Sequence, residues 1–184
     1  MKRLMDILLS LSALVVLSPL LLMAALAVVL DSGRPVMFRH LRVGLHGHEF
    51  GMFKFRSMVV NAAQIGPWHT ADNDPRITRV GRFLRRSSID ELPQLFNVLL
   101  GDMSLVGPRP DVQAQRTLYT QADWQQRCSV RPGITGLAQA LYRSECTLAQ
   151  RLEADLRYTR DAGVWFDLKI MVWTLSRLSG KGSN

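Results

Sequence analysis

The chain opens on an apolar run and then changes period. From Ile7 to Leu30 no charged residue occurs, a stretch of 24 residues. As one straight helix it would extend about 36 Å, enough to cross a hydrocarbon core of roughly 30 Å. A cleaved leader, a single crossing and a hairpin entering and leaving on one side all fit that length. Ala25-Leu26-Ala27 mimics a cleavage site, but the run is long for a leader. Ser18-Pro19 stands at its midpoint, where proline removes a backbone donor and crowds the preceding turn. Arms of about 12 residues would each reach about 18 Å, too short to cross alone. Lys2 and Arg3 precede the run, and Arg34, Arg39 and Arg42 follow it. Cationic flanks favour the cytoplasm, so both ends are expected there. The expectation is a re-entrant membrane helix-break-helix over residues 1–34, broken at Ser18 and Pro19, with a second domain over 35–184 at the cytoplasmic face.

Beyond Gly33 the pattern shortens. Val36-Met37-Phe38, a glycine-bearing turn with Gly44 and Gly47, and Phe50–Met58 read as a β-hairpin. Phe53 and Phe55 share one face of its second strand, Lys54 and Arg56 the other. His46 and His48 fall in the turn and are expected to be exposed rather than metal ligands. Arg76, Arg79, Arg82 and Arg85 recur every three residues and predict a short helix with a cationic stripe. Ile89, Leu92, Leu95, Phe96 and Leu99 predict a second helix, stopped at Gly101-Asp102, with Ser88 and Glu91 as its capping box. Pro93 argues for a later start. Asp90 and Glu91 would then sit in the first turn, where the helix dipole alone accounts for acidic residues. Met103–Pro110 and Pro132–Gly136 read as loops, and Thr147-x-x-Gln150 as the cap of a helix toward Asp161. Val164–Leu178 is an apolar-rich helix bearing Trp165 and Trp173, either core or interfacial. The fold class is α+β, mainly α: the membrane hairpin, then a small domain with a β-hairpin and several helices, some interfacial.

Charge sharpens this picture. The sequence carries 23 Lys+Arg against 15 Asp+Glu, for a net +8, and only four of the cations are lysines. Guanidinium forks suit phosphate oxygens, so anionic headgroups, nucleotides and nucleic acid are all admitted as partners. No helix-turn-helix, zinc or stacking-platform motif is present, which argues against nucleic acid. Cys128 and Cys146 have no metal-binding spacing and read as two buried free thiols in a reducing compartment.

Several segments together resemble the bacterial sugar transferases, the monotopic phosphoglycosyl transferases. They are Lys2-Arg3-x-x-Asp6, Ser18-Pro19, Phe53-Lys54-Phe55-Arg56-Ser57-Met58 and Asp74-Pro75-Arg76-Ile77-Thr78. The long block Ser88-Ile89-Asp90-Glu91-Leu92-Pro93-Gln94-Leu95-Phe96-Asn97-Val98-Leu99 follows, continuing as Gly101-Asp102-Met103-Ser104-Leu105-Val106-Gly107-Pro108-Arg109-Pro110. Arg131-Pro132-Gly133-Ile134-Thr135-Gly136 and Phe166-Asp167-Leu168-Lys169-Ile170 complete a collinear match over nearly the whole chain. Leu137 stands where the family has tryptophan, and Leu141-Tyr142-Arg143 where it has Asn-Gly-Arg, so substrate recognition near Arg143 is expected to differ. Larger members carry additional N-terminal membrane helices, so the chain is expected to be the minimal form.

The resemblance implies transfer of a sugar-1-phosphate from a UDP-sugar to polyprenyl (undecaprenyl) phosphate, with release of UMP, as the first membrane step of glycoconjugate assembly. It implies a Mg2+-dependent ping-pong reaction through an aspartyl-phosphosugar intermediate. Asp90 maps to the nucleophile, and Glu91 to a metal ligand or base. Arg85 and Arg109 are candidates for phosphate, Arg143 for the nucleotide, and Asp102 is a further metal candidate beside Asp90 and Glu91. Location at the bacterial inner (cytoplasmic) membrane and contact with anionic lipid headgroups follow from the same resemblance, and self-association is left open. The competing class is a non-enzymatic, membrane-anchored basic scaffold.

Overall fold

A computed structural model describes residues 1–66, 74–142 and 146–178. Helix α1 runs from Lys2 to Ser32 without interruption, with Pro19 inside it. The expected break at Ser18-Pro19 is therefore not a separation into two helices. Proline has no N–H to give the carbonyl four residues back, here Val15. The Ser18 hydroxyl donates to that carbonyl at 2.8 Å, which supplies the missing donor. Most of the helix's large apolar side chains, among them Leu11, Val15, Val16, Leu22, Met23 and Leu26, are exposed.

Both ends of α1 are tied to the rest of the chain. Near the start, Lys2 pairs with Asp167, Arg3 donates to the Val98 and Leu99 carbonyls, and buried Asp6 accepts from Ser104 Oγ and Leu105 N–H. Near the end, Ala24 and Val28 pack against Phe55 and Leu84. Arg56 donates to the Ser32 and Gly33 carbonyls, each at 2.7 Å, and Asp31 accepts from Val80 N–H at 3.1 Å.

Strands β1 (Met37–Val43) and β2 (Glu49–Phe55) form the expected antiparallel hairpin, joined by a single 3-10 turn. His46 and His48 are exposed in that connection. A four-residue helix α2 (Ala62–Ile65) and then α3 (Arg79–Arg86) follow. Thr78 caps α3 by accepting from Gly81 N–H. The cationic stripe loses its first member, because Arg76 lies before the helix and is buried against Asp74 at 2.6 Å. Arg76 is thus not available to lipid headgroups.

Ser88 does not cap the next helix. Its φ of 57° places it in the left-handed region, and Ile89–Glu91 form a separate 3-10 turn. Helix α4 begins only at Gln94, after Pro93, and ends at Leu100, where Gly101 takes a φ of 96° that favours glycine. Asp90 and Glu91 consequently precede α4 instead of occupying its first turn.

Two segments expected to be loops contain short strands. β3 (Ser104–Val106) pairs in parallel with β4 (Gly133–Thr135), and a Cβ on Gly133 would meet the Gly107 nitrogen at 2.1 Å. Helices α5 (Gln121–Arg127), α6 (Leu137–Tyr142), α7 (Leu148–Asp161) and α8 (Val164–Leu178) complete the chain. Thr147 and Gln150 form the expected capping box of α7. Val106, Leu137, Ala140, Ala154, Tyr158 and Ile170 form the main core. Helix α8 buries Asp167 and Ile170 in the core, while Trp165, Val172 and Leu175 are exposed.

One side chain locks the hairpin to α4. The outer edge of β2 would leave backbone groups unpaired. Fully buried Asn97 accepts from Phe53 N–H at 2.8 Å and donates to the Gly51 carbonyl at 2.9 Å. Asn97→Ala strands both groups and is expected to cost roughly 2–4 kcal/mol, read as a lower Tm in detergent.

Candidate active site

The hairpin, the 3-10 turn before α4 and the loop after β3 converge on two adjacent carboxylates. Glu91 is clamped. Lys54 of β2 approaches its Oε1 at 2.7 Å, and Arg109 from the loop donates to Oε1 at 2.6 Å and to Oε2 at 3.2 Å. Burial alone would push the Glu91 carboxyl up. The Arg109 guanidinium first, then Lys54, overrides this and holds it at about 2 instead of 4.5. Glu91 therefore stays ionised through the whole range in which proteins normally work.

Asp90 is the opposite case. The residue is 7% exposed, and its carboxylate accepts no hydrogen bond from any described residue. Burial raises its pKa above 3.8, with the Glu91 charge adding to the rise, while Lys54, Arg85 and Arg109 pull it down. Two neighbouring acids thus differ sharply: one is saturated by cations, the other is held in reserve among them. Such a separation of environments marks functional carboxylates more often than structural ones.

The other expected residues fall in different places. Arg85, on α3, donates from Nε to Ser57 Oγ at 2.9 Å, and its charge reaches Asp90. Asp102 is not brought to the carboxylates. It lies past the far end of α4, a helix spanning about 10 Å, and accepts from Asn97 Nδ2 at 3.1 Å. No cluster of three or more potential His, Cys, Asp or Glu metal ligands exists among the described residues. Arg143 lies outside the described residues. Cys128 and Cys146 are free; Cys128 is buried as expected, whereas Cys146 is only partly buried.

Residues that sequence reasoning missed hold Arg109 in place. Arg127 and Arg151 both donate to the Arg109 carbonyl oxygen. Arg127 pairs with Asp111 and with Asp155, each at 2.8 Å, and Arg151 pairs with Asp111 at 2.6 Å. Tyr119 donates to Asp111 at 2.8 Å, and burial pushes its hydroxyl up to about 12. The i,i+4 spacing of Arg151 and Asp155 on α7 was the one visible signal of this group. Alternation puts Lys54 on one face of β2, but nothing local encodes where that face points.

The site thus sets two adjacent carboxylates, one clamped by Lys54 and Arg109 and one without a hydrogen bond from a described residue, among the charges of Lys54, Arg85 and Arg109. Residues 1–181 match the family model described as Bacterial sugar transferase, and the chain belongs to that family. It is 46% identical over 182 residues to the UDP-glucose:undecaprenyl-phosphate glucose-1-phosphate transferase of Escherichia coli (strain K12), covering 95% of this chain and 39% of that relative. It is 43% identical over 191 residues to the UDP-N-acetylgalactosamine-undecaprenyl-phosphate N-acetylgalactosaminephosphotransferase of Aeromonas hydrophila, covering 99% of this chain and 44% of that protein. The chain thus spans about two fifths of the length of these relatives. The exopolysaccharide production protein PSS of Rhizobium leguminosarum bv. phaseoli is 44% identical over 195 residues, covering 99% of this chain and 98% of that relative.

Proposed function

We propose that this chain moves a sugar-1-phosphate from a UDP-sugar to a polyprenyl phosphate such as undecaprenyl phosphate, releasing UMP, at the cytoplasmic face of a bacterial inner membrane. The observation behind this reading is the Asp90 carboxylate, buried and unpartnered among described residues, within the fields of Lys54, Arg85 and Arg109. The names of the relatives supply the substrate classes.

In the proposed reaction an Asp90 oxygen attacks the sugar-bearing phosphorus of the donor. The bond from that phosphorus to the bridging oxygen breaks, and UMP departs with the electron pair. A polyprenyl phosphate oxygen then attacks the same phosphorus, the Asp90–phosphorus bond breaks, and the carboxylate returns. Arg85 and Arg109 stabilise charge on the phosphoryl oxygens, the task a guanidinium fork performs best. Glu91 fixes Arg109 and Lys54 beside the nucleophile. Mg2+ fits Asp90, whose oxygens are not taken by described residues, with Glu91 as a neighbour already loaded with cations and Asp102 out of reach. Such an ion binds through one or two carboxylates plus substrate phosphates, and when bound it supplies charge neutralisation to the diphosphate.

The same contacts support a re-entrant topology. A domain on one side of a bilayer cannot hold both ends of a helix that crosses roughly 30 Å of hydrocarbon. Here Lys2, Arg3 and Asp6 at one end, and Asp31, Ser32 and Gly33 at the other, all bond to the same domain. The exposed Trp165, Val172 and Leu175 of α8 suit a lipid interface. Cysteine labelling from one side should reach both Met1 and Gly33 positions; labelling from opposite sides would refute this topology.

The decisive assay is UMP release from a panel of UDP-sugars with undecaprenyl phosphate and Mg2+. Absence of release from every donor, with the protein folded and membrane-bound, would leave the scaffold reading standing. The acid limb of the rate profile is expected to follow Asp90, since Glu91 stays ionised to about pH 2. Lys54 is the strongest cation lowering the Asp90 pKa. Lys54→Met is therefore expected to move that limb to higher pH, and an unmoved limb would assign it elsewhere.

A further inference from the structure

The hairpin face that meets Glu91 carries a cation that no described carboxylate neutralises. Phe38 lies opposite Lys54, His40 opposite Met52 and Arg42 opposite Phe50, so Lys54, His40 and Arg42 share one face of the hairpin. Lys54 is engaged by Glu91. Arg42 forms no ion pair with a described residue. Its Nη2 meets His40 Nδ1 at 3.3 Å, and its Nε is buried without a hydrogen-bond partner among the described residues. The next residue, Val43, donates its N–H to the Asp111 carbonyl at 2.8 Å, which sets Arg42 beside the segment that carries Arg109, and the charges acting on Arg42 are those of Arg109, Asp111, Glu91 and Arg151. Both of those carboxylates are already bonded to other cations. A buried, unfilled donor facing like charge is costly unless an anion completes it. Burial first, then Arg42 and Lys54, hold His40 at about pH 4, so its ring is neutral at pH 7 and Nδ1 can accept from Arg42.

The geometry points to Arg42, held by His40 on the hairpin face that also carries Lys54, as a further binding residue for a phosphoryl group of the substrates. This rests on the transfer reaction proposed above. The group belongs either to the nucleotide or to the polyprenyl phosphate, and a guanidinium fork recognises both alike.

Isothermal titration of the full chain in detergent separates the sources, with UMP as one probe and undecaprenyl phosphate as the other. Arg42→Met is expected to weaken one of the two by roughly 10-fold or more, the range of a charge-assisted contact, with Tm unchanged or raised. Weakening confined to UMP assigns Arg42 to the nucleotide, and weakening confined to the lipid phosphate assigns it to the acceptor. Arg42→Lys keeps the charge but not the fork, and is expected to recover only part of the affinity. His40→Gln, which retains an acceptor, should bind like the wild type, whereas His40→Leu should approach Arg42→Met. Unchanged affinity for both probes in Arg42→Met and Arg42→Lys, or a lower Tm with no change in affinity, would overturn the proposal. Failure of the wild-type protein to release UMP would instead sink the transfer reaction itself.

Discussion

Asp90→Asn is expected to end turnover and to raise thermal stability in the same protein. The amide has almost the same shape as the carboxylate but cannot form the acyl phosphate, so UMP release should fall by a factor on the order of 10^3–10^6. The stability gain follows from the environment of the side chain. Burial raises the Asp90 pKa above 3.8, which means that the folded state prefers the protonated form. For a carboxyl shifted upward, stability is fully present below 3.8 and is lost as pH rises through the raised value. At neutral pH the ionised Asp90 is therefore a net cost to the fold. Asparagine removes that cost, and a gain of about 1 kcal/mol would raise Tm by roughly 2–4 °C for a chain of this size. The gain should shrink as pH falls toward 3.8, because the wild-type carboxyl is then protonated as well. Tm measured against pH for both proteins tests this directly. Equal Tm values at pH 7 would mean that Asp90 is not strained by burial, and an Asn variant that turns over normally would mean that it is not the nucleophile.

The sequence made legible whatever depends on neighbours within a turn or two. Alternation announced the β1–β2 hairpin, Thr147 and Gln150 announced the start of α7, and Gly101 the end of α4. The long block around Asp90 and Glu91 also identified the family. What failed depended on backbone conformation or on distant partners. Ser88 has the composition of a cap, yet its left-handed backbone directs the chain into a 3-10 turn. β3 and β4 are too short for alternation to register, and they exist because Gly107 and Gly133 allow two backbones to touch. Asp102 looked like a third acid of the site, but α4 carries it away from Asp90 and toward Asn97. Arg76 looked like the first member of a stripe, but Asp74 two residues earlier captures it. The pairing of Lys54 with Glu91 joins residues 37 positions apart, and no local pattern encodes it.

The ion network behind Arg109 gives the second large expected effect. Arg127 is 5% exposed and lies between Asp111 and Asp155, with its guanidinium 5.5 Å from the Tyr119 ring. Removing one partner of a buried pair leaves the other charge uncompensated, which typically costs about 3–5 kcal/mol. Arg127→Met should therefore lower Tm by roughly 10 °C in detergent. Arg151 cannot compensate fully, because it reaches Asp155 only at 3.9 Å and is already committed to Asp111. The loss should depend on pH in a stated direction. Burial already raises the Asp155 pKa, with Arg127 as the leading opposing charge. Without Arg127 the carboxyl shifts further up, and stability falls as pH rises from 3.8 through that value. The variant should thus be closest to wild type in acid and furthest from it at neutral pH. Arg127→Met combined with Asp155→Asn removes both charges and should recover a good part of the lost stability. Activity is expected not to recover with it, because the Arg109 carbonyl still lacks the donor from Arg127 and the clamp on Glu91 stays loose. Recovery of both Tm and UMP release in the double variant would make the network a stability element alone. Recovery of Tm without rate would show that the fold uses buried charge here to place Arg109.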